Sequence, residues 1–348
     1  MLDLLIKNAT VIDRHSPVDI GCLNGRISLV EPQIQEQAET EIDAKQQLVT
    51  PPFVDSHFHM DSTLSYGRPR VNQSGTLLEG IALWSELKPD LTVDDIKQRA
   101  LTLCGWAVAQ GNLAIRSHVD ICDQELTAVH ALLDVRETVK PYLDLQLVAF
   151  PQDGYFRYAG AIDLLTRALD LGVDVVGGIP HFERTMSDGA QSVRELCQIA
   201  EERGLMVDMH CDESDDPQSR HIETLASETQ RLGLQGRVTG SHLTSMHSMD
   251  NYYAGKLMSL IAESQVHAVA NPLINITLQG RSDSYPKRRG MMRVKEMMQL
   301  GINVAFGHDC VLDPWYSLGT HDMLEAVSYT HLRAHETDSY LVCRLLLE

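Results

Sequence analysis

From residue 47 onward, short apolar runs alternate with longer segments of helical periodicity. The runs are Phe53–His59, Leu113–Asp120, Leu143–Phe150, Val173–Gly177, Leu205–His210, Arg237–His242, Val266–Ala270 and Ile302–Gly307. Their length and nearly continuous apolar character suit strands buried on both faces. The segments Val93–Gln110, Gln191–Arg203 and Pro217–Leu234 have helical spacing. Gly111, Gly172, Gly204, Gly236 and Gly301 each stand just before a strand, where a helix ends on a residue free to turn left-handed. Eight such units in a row predict an α/β fold, a (β/α)8 TIM-like barrel over residues 47–327. An open doubly wound sheet is the alternative, although no Gly-x-Gly-x-x-Gly follows an early strand.

Residues 1–46 read as short strands, with Asn24-Gly25 as a hairpin turn between Ile20–Leu23 and Arg26–Val30. These pieces are too few for an independent sheet with a good core and need partners from elsewhere in the chain. Residues 328–348 break the pattern and resemble translated adapter sequence, so they are expected to be a non-native tail.

Composition narrows the function. The 348 residues are 43% hydrophobic, enough for a large core, and no run is long and apolar enough to span a bilayer. The net charge of −19 repels nucleic-acid phosphates, so any nucleobase chemistry concerns a free base. The N-terminus lacks a signal-peptide pattern, and none of the seven cysteines forms a Cys-x-x-Cys pair. Free thiols and a cytoplasmic location follow as expectations.

The chemistry gathers at the strand ends. His57 and His59 alternate along one strand, so both imidazoles face the same side and can chelate one divalent cation. His118 and Asp120 end the second strand; Gln152 follows the third and His181 the fourth. The fifth ends in His210-Cys211-Asp212-Glu213, the sixth in His242, the seventh in Asn271-Pro272, and the eighth in Gly307-His308-Asp309-Cys310. In a parallel barrel these ends share one rim, where active sites lie. His57, His59, His210 and Asp309 are the expected metal ligands, and a cation there lowers the pKa of water toward neutrality. Glu213, three residues beyond His210, is placed for proton transfer; His242 either holds the hydroxide or takes its proton, and Asp309 is a catalytic residue that shares in managing that proton. Gln152 offers the donor and acceptor that match the N–H/C=O edge of a pyrimidine. His181 reads either as substrate-facing or as a polar loop residue. His118 and Asp120 are expected on the barrel floor, with His308 turned away from Asp309 by strand alternation.

Taken together, Phe53-Val54-Asp55-Ser56-His57-Phe58-His59, His210-Cys211-Asp212-Glu213, Ser241-His242 and Gly307-His308-Asp309 resemble the amidohydrolase superfamily, and within it the cytosine deaminases. Val148–Gly154 and Asp313-Pro314-Trp315-Tyr316 share that resemblance. It implies one iron or zinc ion, a barrel carrying a small β-sandwich to which residues 1–46 contribute, and a homo-oligomer hydrolysing cytosine to uracil and ammonia. It also implies that Trp315 packs near the base. The fourth strand, Val175–His181, lacks the lysine that bridges two metals in ring-opening members.

One departure stands out. Cys310 follows Asp309 where the cytosine deaminase pattern has a second acidic residue. Its loss removes charge and bulk, so the sequence predicts tolerance of a C5 substituent, with 5-methylcytosine yielding thymine. Isocytosine, isoguanine or creatinine are alternative substrates, and a non-catalytic barrel relative is a further alternative. Retention of Glu213 argues against the last, since binding alone needs no proton shuttle.

Overall fold

A computed structural model of the chain describes residues 1–288 and 290–333. It divides into two compact units, Met1–Pro52 and a larger one beginning at Phe53. In the first, strands β1 (Leu2–Ala9), β2 (Val18–Leu23), β3 (Arg26–Glu31) and β4 (Ala38–Asp43) form one sheet in the order β3-β2-β1-β4. The β2–β3 turn places Asn24 and Gly25 at φ of 53° and 69°, the left-handed pair that a two-residue hairpin requires. A bridge from Thr10 to Leu48 draws the following residues into this unit, so its boundary falls at Pro52. The described residues thus supply one four-stranded layer, with a small apolar cluster around Leu2, Leu5 and Ile34 and another around Ala9, Val18, Ile20 and Ala44.

The second unit is an eight-stranded parallel barrel surrounded by helices. Its strands are β5 (Phe53–Phe58), β6 (Asn112–Asp120), β7 (Asp144–Phe150), β8 (Val175–Gly178), β9 (Met206–Cys211), β10 (Val238–His242), β11 (His267–Ala270) and β12 (Val304–Phe306). Each pairs with its sequence neighbour. The ends meet at a parallel bridge between Phe58 and Asp309, where His59 N donates to Asp309 O and Asp309 N to His57 O, both at 2.9 Å. This arrangement excludes the open sheet.

Local chemistry sets the helices. Thr92 caps the helix Val93–Ala109 by accepting from Asp95 N. The helix expected from Gln191 begins earlier, at Met186, because Thr185 caps it across a polar first turn that hides the apolar period. The helix expected from Pro217 begins at His221, because the buried Asp212 carboxylate accepts from the backbone N–H groups of His221 and Ile222. Of the expected tail, residues 328–333 belong to the helix Met323–Arg333, and 334–348 lie outside the described residues. No helix among the described residues is long and apolar enough to cross a membrane.

Candidate active site

Parallel strands deliver their last residues to one rim, and the candidate ligands converge there. His57 and His59 project from the end of β5, His210 from β9, His242 from β10 and Asp309 from the segment after β12. All five are buried. His59 Nε2 and His210 Nε2 stand 2.9 Å apart. Asp309 Oδ1 lies 3.7 Å from His57 Nε2 and 3.5 Å from His59 Nε2. Asp309 Oδ2 lies 3.7 Å from His242 Nδ1. His242 and Asp309 hold backbone φ of 74° and 70°, a left-handed strain that clusters at functional sites.

The electrostatics suit a cation. Burial pushes His57, His210 and His242 well below the usual histidine range and His59 to about 3, so the imidazoles are neutral and keep lone pairs. Both ring nitrogens of His57, Nδ1 of His210 and Oδ2 of Asp309 are buried without a hydrogen-bond partner. Packing so many acceptors together is costly unless a cation binds them. The donor set His57, His59 and Asp309 fits within 4.8 Å, as does His57, His210 and His242.

His118 also enters this cluster, its ring 4.1 Å from that of His57. With His57 and Asp208 it forms a third compact group. There, however, Arg116 already neutralises Asp208 at 2.9 Å, and Ser241 occupies the other carboxylate oxygen. His118 therefore sits directly behind the candidate ligands.

The cluster borders a cavity lined by His59, Gln152, His210, Glu213, His242, Asp309, Cys310 and Trp315, with Leu77, Ile179, Ile274 and Leu278 as apolar walls. Burial lifts Glu213 to about 8, against the opposing hydrogen bond from Asn275 Nδ2 at 3.1 Å. Trp315 stacks beside His59 with ring centroids 6.4 Å apart. Cys310 Sγ reaches Asp309 Oδ1 at 3.5 Å. His308 turns away, with Nδ1 3.0 Å from its partner, the Cys310 carbonyl. His181 does not line the cavity. The short turn Pro180–Phe182 sets its Nδ1 3.0 Å from the His210 carbonyl, and Ile179 takes the wall position.

Sequence reasoning missed Asn275 and the role of Asn271, which reach His242 from the helix Pro272–Leu278. The available signal was two asparagines four apart in an otherwise apolar turn, which puts both on one helix face. A larger cavity of about 630 Å³ opens at the opposite mouth, but there Arg116 is paired with Asp208 and Gln146, and Arg136 with Asp174.

Trp315 owes its position to a glycine. A Cβ on Gly80, in the helix Leu77–Leu87, would fall 2.2 Å from Trp315 Cδ1. Gly80→Ala is expected to lower stability by about 1–3 kcal/mol through overpacking and to raise KM several-fold as the indole shifts. Denaturant unfolding and steady-state kinetics check this.

A closed parallel barrel with a buried histidine–carboxylate cluster on its C-terminal rim defines a hydrolase-type enzyme with a place for metal. The chain belongs to the amidohydrolase family, whose profile matches residues 40–339. The structure of a 5-methylcytosine deaminase from Klebsiella pneumoniae, bound to 5-fluorocytosine, superposes with a TM-score of 0.93 at 42% identity, covering 96% of this chain and 82% of that one. An N-isopropylammelide isopropyl amidohydrolase of Pseudomonas sp. (strain ADP) is 30% identical over 93% of this chain and 78% of its own length. A pterin deaminase of Rhizobium rhizogenes is 29% identical over 90% of this chain and 73% of its own. These matches agree with the resemblance drawn from the motifs, and the chain is an aminohydrolase.

Proposed function

We propose that this enzyme hydrolytically deaminates free cytosine and 5-methylcytosine, releasing ammonia with uracil or thymine. The observation that carries the reading is Cys310 on the cavity wall beside Asp309, facing the same space as Gln152 and Glu213. A compact neutral side chain at that point leaves room for a methyl group. The likeness to a 5-methylcytosine deaminase supports the same substrate class.

In this reading His57, His59, His210 and Asp309 hold one divalent metal, iron or zinc. When bound, the ion supplies Lewis acidity and brings the pKa of water toward neutrality. Gln152 fixes the base by pairing with its N–H/C=O edge, and Trp315 packs beside the ring. Water adds to the amino-bearing carbon and gives a proton to the Asp309 carboxylate. Glu213 delivers a proton to the adjacent ring nitrogen, the proton held on Asp309 passes to the amino group so that ammonia leaves, and the new hydroxyl returns its proton to Glu213. His242 stabilises the negative charge that develops in the tetrahedral intermediate. The apolar wall of Leu77, Ile274 and Leu278 keeps bulk water from the reacting carbon.

The test is ammonia release from cytosine, 5-methylcytosine, isocytosine, isoguanine and creatinine. The expected result is comparable kcat/KM for the first two. Cys310→Asp should lower kcat/KM for 5-methylcytosine about 10–100-fold, in line with what one methyl is worth in a pocket, with little effect on cytosine. Rejection of 5-methylcytosine by the unmodified enzyme defeats the reading.

A further inference from the structure

We infer that Asn275 is a positioning residue. Its amide nitrogen donates one hydrogen to Glu213 and the other to His242, and so fixes His242 as the tautomer with its proton on Nε2. The inference rests on the catalytic roles proposed above for those two side chains.

Asn275 is 2% exposed and sits in the first turn of the helix Pro272–Leu278. Its backbone is held on both sides: Asn275 N donates to Asn271 O at 3.0 Å, and Gln279 N donates to Asn275 O at 2.9 Å. Asn275 Nδ2 lies 3.1 Å from Glu213 Oε1 and 3.0 Å from His242 Nδ1. Both distances are shorter than the 3.4 Å between Glu213 Oε1 and His242 Nδ1, so the amide bridges two groups that do not bond directly. An amide nitrogen carries two hydrogens, and here each has one acceptor.

The consequence falls on His242. A neutral imidazole that accepts at Nδ1 carries its hydrogen at Nε2. His242 Nδ1 is also the nitrogen nearest Asp309, 3.7 Å from its Oδ2. With that lone pair held by Asn275, His242 has no free acceptor there. The sequence left two roles open for His242, holding the hydroxide or taking its proton. Asn275 excludes the second and leaves proton transfer to Glu213 and Asp309.

The test uses the zinc-loaded enzyme with 15N-labelled histidine. Long-range 1H–15N correlation, assigned with a His242→Asn control, should report a protonated Nε2 and a bare Nδ1. Asn275→Asp keeps the volume and removes both donors. It is expected to lower kcat about 10²-fold, the lower end of what a proton-transfer group contributes, to leave KM within about threefold, and to move the His242 proton to Nδ1. A role in packing alone would leave the His242 proton on Nε2 in Asn275→Asp, so an unmoved proton or a wild-type kcat in that variant overturns the inference. A wild-type spectrum with the proton on Nδ1 also overturns it, and decides the matter if the variant does not fold. Absence of ammonia release by the wild type would instead defeat the proposed function, with the tautomer still measurable.

Discussion

Glu213→Gln lowers kcat for ammonia release by about 10³-fold, within the range expected for an acid–base group, and leaves metal content unchanged. The carboxyl is 5% exposed, and burial raises it to about 8, so it carries its proton through the neutral range. Glutamine keeps the shape and an oxygen for Asn275 but holds no transferable proton. The sign of the pH effect follows. The acid form predominates below about pH 8, so kcat of the wild type declines above that value, and the variant lacks this limb. An ammonia-coupled assay across pH, with elemental analysis of the protein, measures both. A kcat within tenfold of wild type would remove Glu213 from the mechanism.

Removing the metal abolishes turnover. Chelation followed by dialysis should leave less than about 10⁻³ of the activity, comparable to loss of an acid–base group, and stoichiometric zinc or iron should restore it. His59→Ala removes a nitrogen that lies 2.9 Å from His210 Nε2 and 3.5 Å from Asp309 Oδ1, so added metal should not rescue that variant. Metal also stabilises the fold by mass action, about 2.7 kcal/mol when free ion is at 100 times its dissociation constant. Melting temperature should therefore rise with metal in the wild type and not in His59→Ala. Full activity at substoichiometric metal would sink the assignment.

Much of this was legible in the chain itself. Strands covered on both faces must be apolar throughout, and Gly111 and Gly204, at φ of 82° and 67°, mark where helices stop before the next strand. Alternation placed His57 and His59 on one side, and strand direction put His210 and His242 on the same rim. What escaped were contacts set by loops and short helices. His181 follows β8 onto the rim, yet the turn Pro180–Phe182 sets its Nδ1 against the His210 carbonyl, and Ile179 takes the cavity wall. Asn275 is separated by 62 residues from Glu213, and no local periodicity reports that pairing. His118 reaches His57 only because the closed barrel brings their rings together.

That closure carries a further consequence. The seam between the first and last barrel strands is zipped by the backbone of His57, His59 and Asp309, whose side chains form a group that could hold a cation. Sealing the cylinder and assembling the candidate binding set therefore depend on the same residues, from chain segments some 250 residues apart. The amides of His59 and Asp309 should accordingly exchange with deuterium far faster once the ion is withdrawn, while those in mid-barrel β6 and β7 keep their protection.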